Sequence, residues 1–315
     1  MHANKILMDT IQKIDGAYAP SSIRAYRANF ARYIDFCESI SASPLPSDSK
    51  TVAKYIQKLT ATNLKSASIR LATASISTIH KLNQFPDPTQ EPETKLELRR
   101  MHRTLGRASK QALGITEPIV EKMIQAMKGD LRGLRDKALI LLAYDSLCRR
   151  SELILMRLED IEFNESGAPT RIQIRRSKTD QEAAGKIIRL NTKTQEAIKN
   201  WVYVSGIKEG SLFRGISNNG KISLSMSPGQ INRIYKLLAT KANLPIEQIK
   251  NISGHSFRVG KTQDLVSNGS SFPEIMHKVR ISGQRDHPFQ VNDRSFQSER
   301  DRLFQIQRDR FCAFL

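Results

Sequence analysis

Apolar residues recur at helical spacing over most of the first hundred positions. After Pro20, the apolar positions are Ile23, Tyr26, Phe30, Tyr33, Ile34 and Cys37. Residues three and four apart lie on one face of a helix, so this spacing predicts an amphipathic helix. The same pattern predicts further helices over residues 3–14, from Asp48 or Ser49 as N-cap, over 66–82 and over 93–105. We therefore expect residues 1–105 to form a small helical bundle.

The second half combines one strongly apolar helix with short alternating segments. The run from Ala138 to Tyr144 is apolar throughout, which predicts a buried helix over residues 135–147. Residues 170–176 alternate between polar and apolar, and residues 186–190 are their expected partner in a β-hairpin. Further helices are predicted after Thr116 as N-cap, over 191–201, from Ser227, and from His255 to about Val266. The predicted fold class is mainly α, with two domains and a small β-hairpin or sheet.

The charge balance narrows the class of partner. The chain has 50 Lys and Arg against 31 Asp and Glu, a net charge of +19, and both halves carry the excess. A polyanion is the expected partner, because each phosphate that a protein neutralises releases a counterion. An anionic membrane is the alternative, but the chain has no basic amphipathic anchor and no apolar run long enough to cross a bilayer.

Other kinds of chemistry find no support in the sequence. The three cysteines, Cys37, Cys148 and Cys312, are scattered, so neither a disulfide framework nor a metal site is expected. No phosphate-binding Gly-rich loop, zinc pattern, dinucleotide-binding turn or acidic metal cluster is present, so we expect no cofactor. The N-terminus lacks the apolar block of a signal peptide, which favours a cytoplasmic, nucleoid-associated protein.

One stretch places a titratable donor and a permanently charged donor close together. In Ser253–Gly260, with the sequence SGHSFRVG, His255 and Arg258 are three residues apart and share a helix face. An imidazole and a guanidinium on one face suit a phosphate. A helix start with a solvated Arg is the alternative interpretation, because this spacing is common by chance.

Three stretches, taken in order, carry a resemblance to a known family. Arg149 and Glu152 follow the apolar helix, Lys178 lies in the predicted hairpin, and His255 and Arg258 come later. Together with the sequences GHSFRVG and PEIM, this order resembles the catalytic domain of the tyrosine recombinases, the phage integrase family. It looks most like the Cre recombinase branch of that family.

The resemblance implies an architecture and a function. Residues 1–105 would be a helical core-binding domain of the SAM-like type, 106–116 a linker and 117–277 the catalytic domain. Such proteins bind duplex DNA and carry out site-specific recombination or integration without a cofactor. The basic residues expected to face DNA are Arg24, Arg27, Arg99, Arg100, Arg103, Arg107 and Lys110. An ordinary solvated helix face is the alternative for each of them.

The resemblance also implies a role for each candidate site residue. The Arg that matches Arg149 binds the scissile phosphate, and Arg150 is a competing candidate for that position. The acidic residue that matches Glu152 supports the site, and a Lys on the hairpin tip, here Lys178, protonates the leaving oxygen. His255 and Arg258 would stabilise the charge that develops in the transition state.

The resemblance ends near Met276. The nucleophile of the family is a Tyr beyond the His-x-x-Arg helix, but no Tyr follows Tyr235 in this chain. Residues 278–315 form an atypical polar tail, for which disorder and a weak helix over 295–304 are both open. A frame change or a joined segment would explain such a tail, and so would a divergent paralogue that lost the chemistry.

Three functions therefore stay open. The first is a recombinase whose strand cleavage is impaired because the nucleophile is missing. The second is a catalytically inactive DNA-binding relative that acts as an accessory or regulatory factor. The third is a helical nucleic-acid scaffold in which the His-x-x-Arg spacing is coincidental. The expected partners are double-stranded DNA and, on that DNA, either further copies of this chain or an intact recombinase; no membrane partner is expected.

Overall fold

A computed structural model of the protein describes residues 2–62, 64–107, 112–174, 186–271 and 273–275. The chain divides into two compact units, Met1–Lys110 and Gln111–Leu315. Each unit has a hydrophobic core of its own. Three predicted features lie outside the described residues: the hairpin tip with Lys178, the basic residue Lys110, and the tail from Met276 onward.

The first unit is a helical bundle. Its described helices are α1 (His2–Lys13), α2 (Pro20–Ser39), α3 (Ser49–Ala61), α4 (Ser66–Leu82) and α5 (Pro92–Leu105). Fully buried side chains from α2, α3 and α4 form the core, among them Phe30, Ile56 and Ile76. Asp48 is the N-cap of α3, because its carboxylate accepts a hydrogen bond from Thr51 N–H at 2.6 Å. The predicted all-helical character of this half is confirmed.

The second unit is mainly helical and holds one small sheet. Its described helices are α6 (Glu117–Gln125), α7 (Leu131–Ser146), α8 (Arg150–Leu155), α9 (Thr192–Ser205), α10 (Pro228–Lys241), α11 (Ile246–Lys250) and α12 (Ser256–Ser267). A 3-10 turn over Leu158–Asp160 leads into the sheet. The predicted fold class, mainly α with a small sheet, is confirmed.

The sheet has three antiparallel strands rather than the two of a simple hairpin. They are β1 (Ile161–Phe163), β2 (Pro169–Ile174) and β3 (Lys186–Arg189), in that spatial order. Ile161 lies opposite Ile172, which lies opposite Ile188, and all three side chains are buried. This row of isoleucines packs into the core of the second unit.

Helix α7 is the centre of the second core. Its residues from Ala138 to Tyr144 are all buried, as their continuous apolar run predicts. Aromatic side chains from other segments complete the core, among them Trp201, Phe213 and Phe257. Because α7 is packed on nearly every side, the residues that follow its C-terminal end start from a fixed position.

The segment over residues 112–116 packs on the second unit although it belongs to the predicted linker. Leu113 N–H donates to the carbonyl oxygen of Asn251 at 3.0 Å, and Ile115 is completely buried. Thr116 is the N-cap residue of α6, as predicted, but its side chain makes no capping hydrogen bond. The acceptor for the first N–H of the helix comes from Asp264, whose Oδ2 accepts from Glu117 N–H at 2.8 Å.

Candidate active site

Two hydrogen bonds join Arg149 and Glu152 at the start of α8. Arg149 is the residue before the helix, and its backbone N–H donates to Glu152 Oε2 at 2.8 Å. Its guanidinium Nη1 donates to the other carboxylate oxygen, Oε1, at 3.0 Å. The Glu152 side chain is 4% exposed and that of Arg149 is 19% exposed. The buried carboxylate therefore holds the guanidinium in a defined orientation at the edge of the core.

A left-handed turn positions Arg149. After α7, Leu147 has φ +55°, a conformation that residues other than Gly rarely adopt. The Leu147 side chain is buried against Leu265 and Ile275. Its carbonyl oxygen accepts a hydrogen bond from Arg258 Nη1 at 3.3 Å. The turn thus connects the segment that carries Arg149 directly to Arg258, which lies in another part of the sequence.

His255 and Arg258 lie at the beginning of α12. His255 is the residue just before the helix rather than within it, and Arg258 is in the first turn. Ser253 N–H donates to the Ser256 hydroxyl at 2.9 Å, which closes the chain around His255. The two predicted donors are therefore presented by one helix start, although His255 itself is not helical.

Positive charge dominates the surroundings of His255. Burial lowers the pKa of His255 below its ordinary value of 6.5, and the guanidinium groups of Arg258, Arg149 and Arg150 lower it further. Glu152 is the acid that opposes them. Burial also lowers the pKa of Arg258, with Arg149 as the next cause. The site therefore favours a bound anion, which would compensate the crowded cations.

The structure brings four of the five predicted site residues to one place. Arg149, Glu152, His255 and Arg258 are linked by hydrogen bonds or by their electrostatic effects on one another. The fifth, Lys178, lies outside the described residues. Together, the four can bind a phosphate through charged donors and keep a neutral imidazole beside it.

Two glycines, neither of them among the predicted site residues, shape this corner of the molecule. A Cβ on Gly254 would lie 3.0 Å from Arg150 Cβ, and a Cβ on Gly260 would lie 1.9 Å from the carbonyl oxygen of Ile115. Each glycine allows a close approach that a larger residue would prevent. The signal was present in the motif SGHSFRVG, in which a Gly stands on either side of the His-x-x-Arg pair.

Two tyrosines near these residues are unsuited as nucleophiles. Tyr235 is 1% exposed, and its ring packs on Phe257 with the ring centres 4.5 Å apart. Tyr144 is 5% exposed, and its hydroxyl donates to Asp264 Oδ2 at 2.5 Å. Burial raises the pKa of both hydroxyls. An attacking phenolate needs open access to the phosphorus and an easily lost proton, and both tyrosines lack these.

The predicted DNA-facing arginines of the first unit lie on or next to two helices. Those on α2 are Arg24 and Arg27; those on or just after α5 are Arg99, Arg100, Arg103 and Arg107; all six are exposed. Arg100 pairs with Glu97, Nη1 to Oε2 2.9 Å, so its charge is partly balanced. Their role in DNA binding stays a prediction.

The described ranges contain neither a candidate membrane span nor a candidate metal cluster. Within them, no helix is long and apolar enough to cross a membrane. No group of three or more His, Cys, Asp or Glu residues is placed to hold a metal ion in the same ranges. Acids near the candidate site are already engaged, Glu152 with Arg149 and Asp264 with Tyr144.

Comparisons with known proteins add independent observations. The model of the "Phage integrase family" matches residues 114–279. Recombinase cre of Escherichia phage P1 is 25% identical over 257 residues, which span 76% of this chain and 75% of the relative. An integrase/recombinase xerD homolog of Selenomonas ruminantium is 26% identical over 287 residues, which span 87% of this chain and 82% of the relative.

Solved structures show the same fold at lower identity. The Tn1549 transposon integrase in complex with circular intermediate DNA superposes with a TM-score of 0.60 at 14% identity, covering 96% of this chain and 99% of that chain. A lambda integrase dimer bound to a COC′ core site gives a TM-score of 0.60 at 14% identity, covering 92% and 99%. At these identities the likeness concerns the fold, and it agrees with the mainly helical architecture described above.

Proposed function

This chain belongs to the phage integrase family, the tyrosine recombinases, and from that premise we propose that it binds duplex DNA and holds one phosphodiester between Arg149, His255 and Arg258. The convergence of these side chains, from segments about a hundred positions apart, is the observation that carries the proposal. The net charge of +19 supports a polyanionic ligand. Two of the structures that share the fold are complexes with DNA.

Each site residue has a distinct part in the proposed chemistry. Arg149 and Arg258 stabilise the charge on the phosphorane-like transition state, and Glu152 keeps Arg149 oriented. His255 is a hydrogen-bond partner of the phosphate, and its lowered pKa favours the neutral ring in the free protein. Lys178 is proposed as the general acid that protonates the leaving oxygen.

The ancestral reaction we propose is strand cleavage and rejoining through a phosphotyrosine. In such a step a phenolate forms a bond to phosphorus while the bond to the leaving oxygen breaks, and a general acid protonates that oxygen. This chain has no Tyr after Tyr235, and both Tyr144 and Tyr235 are buried. We therefore infer that cleavage is impaired.

A binding-only protein is the second candidate function. It is favoured by the same observation, because a phosphate site without a nucleophile still binds DNA. Such a protein would act as an accessory or regulatory factor, alone, as a homo-oligomer on DNA, or beside an intact recombinase. Its proposed location is with the DNA, in the cytoplasm or nucleoid.

Duplex binding as a function of salt tests the proposal. Binding of the full chain to duplex DNA should weaken with salt, with a log–log slope of about −5 or steeper if six or more phosphates are contacted. Replacing Arg149 or Arg258 by Met should weaken binding by about 1–3 kcal/mol. A wild-type affinity that does not change with salt would contradict the proposed DNA contact. Selection of bound duplexes from a random pool then shows whether the protein has a site preference.

A further inference from the structure

Arg150 differs from its neighbour in how its charge is balanced. Arg149 is bonded to Glu152 through both its guanidinium and its backbone N–H. Arg150 is the first residue of α8 and is half-buried. Within the described part of the chain, its side chain makes no hydrogen bond and no ion pair. A partly desolvated guanidinium without an acid is unfavourable in the free protein and is stabilised when an anion binds.

Contacts hold the aliphatic stem of Arg150 beside His255. A Cβ on Gly254 would lie 3.0 Å from Arg150 Cβ and 3.1 Å from Arg150 Cδ. The stem therefore runs along the backbone of the residue that precedes His255. The Cβ added to Gly254 would also lie 3.4 Å from Asn232 Oδ1. Among the described residues, that oxygen is the buried side-chain atom left without a hydrogen-bond partner, so an acceptor is available next to the stem.

Arg150 also contributes to the electrostatics of the site. It lowers the pKa of His255, after burial and after Arg258 and Arg149. Three guanidinium groups and one carboxylate therefore act electrostatically on one imidazole. Because that carboxylate is already bonded to Arg149, the cluster has more positive charge than a single phosphodiester would balance.

We propose that Arg150 is a further phosphate-binding residue, which holds the backbone phosphate next to the one bound by Arg149, His255 and Arg258. The inference rests on the proposed function, because it takes duplex DNA as the ligand of this site. A guanidinium offers parallel N–H donors to a phosphate, and Asn232 Oδ1 can accept one of its remaining N–H groups. Arg150 thus adds one phosphate contact, and hence one released counterion, to DNA binding.

Three variants of the full chain test this assignment. Arg150→Met keeps the stem against Gly254 and removes the charge, whereas Arg150→Lys keeps the charge and loses the planar fork. Arg157→Met is the matched control, because Arg157 is exposed and its guanidinium is already paired with Glu159 at 3.0 Å. The probe is a random-sequence duplex of about 30 base pairs, titrated at several salt concentrations.

The expected results distinguish the charge of Arg150 from that of the control residue Arg157. Arg150→Met should reduce the size of the log–log salt slope by about 0.9 and weaken binding about tenfold at low salt. Arg150→Lys should keep the slope and weaken binding about threefold, and Arg157→Met should match the wild type. Equal slopes and affinities for Arg150→Met and Arg157→Met would overturn the assignment. A wild-type protein that fails to bind the duplex, or binds it independently of salt, would instead remove the proposed function itself.

A measurement on the wild type keeps the assignment testable if Arg150→Met does not fold. The Nε–H signal of Arg150 is identified in NMR spectra by its absence from Arg150→Lys, and inorganic phosphate is then added. We expect both this signal and the imidazole signals of His255 to shift and to saturate, each with its own phosphate dependence, because the two residues bind different phosphates. An Arg150 signal that stays in place while His255 shifts would overturn the assignment.

Discussion

Gly260 lies so close to the backbone of Ile115 that a Cβ at position 260 would be 1.9 Å from the Ile115 carbonyl oxygen. Ile115 N–H also donates to the carbonyl oxygen of Ser256 at 2.9 Å. The segment over residues 112–116 therefore crosses the first turns of α12, the helix that follows His255 and contains Arg258. Since the atoms in contact belong to the backbone, no side-chain rotation can make room for a methyl group.

Gly260→Ala should destabilise the protein by about 1–3 kcal/mol or more, because either α12 or residues 112–116 must move. Urea unfolding measures the loss, and the imidazole signals of His255 report whether the start of α12 has shifted. Gly129→Ala is the control: its added Cβ would have nothing within 4 Å, so it should be neutral or slightly stabilising. Equal stability of the two variants would contradict the close contact.

Glu152→Gln should change the pKa of His255 in a defined direction. The Glu152 carboxylate raises that pKa against the effect of three arginines, so its neutral amide should leave the pKa lower than in the wild type. NMR titration of the imidazole measures the change. Glu159→Gln, at an exposed acid paired with Arg157, is the control and should leave the His255 titration unchanged. A rise of the His255 pKa in Glu152→Gln would contradict the arrangement.

DNA binding should strengthen as the pH falls below neutrality. In the free protein the pKa of His255 is lowered, whereas a bound phosphate favours the protonated ring and raises that pKa. The complex then holds more protons than the free protein, so lower pH favours the complex. Dissociation constants at about pH 8, 7 and 6, at constant ionic strength, measure the effect. His255→Gln should remove most of it, and an unchanged dependence in that variant would assign the proton to another group.

His80 should make the first unit sensitive to acid. The buried ring donates from Nδ1 to the Ile76 carbonyl at 2.8 Å and accepts Ser47 N–H at Nε2, 3.0 Å away. Burial lowers its pKa below the ordinary value of 6.5. The unfolded chain therefore binds a proton near pH 6.5 that the folded chain does not, so stability present above that pH is lost as the pH falls towards the folded pKa.

His80→Leu tests this interpretation. Because Ser47 N–H loses its acceptor, the variant should be less stable by about 1–3 kcal/mol at neutral pH. Its stability should also fall less steeply with acid than that of the wild type, as urea unfolding above and below pH 6.5 would measure. His255→Gln, with His80 intact, is the comparison. A His80→Leu variant that keeps the full wild-type pH dependence would show that other groups cause it.

Hydrophobic periodicity predicts most of the fold because it records which face of each segment is buried. The apolar run from Ala138 to Tyr144 and the spacing in α2 predict helices that the structure contains. The strand β1 could not be predicted in this way. Its three residues, Ile161–Phe163, are too few for an alternating pattern, and its partner residues are supplied by a strand that follows a turn.

Local sequence patterns predict less of the candidate site than of the fold. The His255 and Arg258 spacing indicates a shared helix start, but it does not show that Leu147 supplies the carbonyl that orients Arg258. Thr116 is the predicted N-cap of α6, but the side chain that accepts the Glu117 N–H belongs to Asp264, which is 147 positions after Glu117. Contacts between distant segments depend on packing of the whole unit, and a local pattern contains no information about them.

The protein should not form a covalent adduct with DNA. Nucleophilic cleavage needs an oxygen in line with the leaving group, and no Tyr follows the His255 helix in this sequence. The Tyr144 hydroxyl donates a hydrogen bond to Asp264, and Tyr235 is enclosed beside Phe257. Charge stabilisation by the arginines lowers a barrier only when a nucleophile attacks.

A nicked suicide duplex that carries the preferred site, followed by a denaturing gel, measures adduct formation. The expected result is free protein and DNA strands without further cleavage after heating in detergent. A stable protein–DNA band would contradict the prediction, and loss of that band in Tyr235→Phe but not in Tyr144→Phe would then identify the nucleophile. A chain in which residues 278–315 are replaced by a tyrosine-bearing ending of the family separates the two proposed functions. Adduct formation by that chain would show that Arg149, His255 and Arg258 are still arranged for catalysis. The three side chains would then stabilise the transition-state charge as before, and the tyrosine hydroxyl would be the one group that the site lacked.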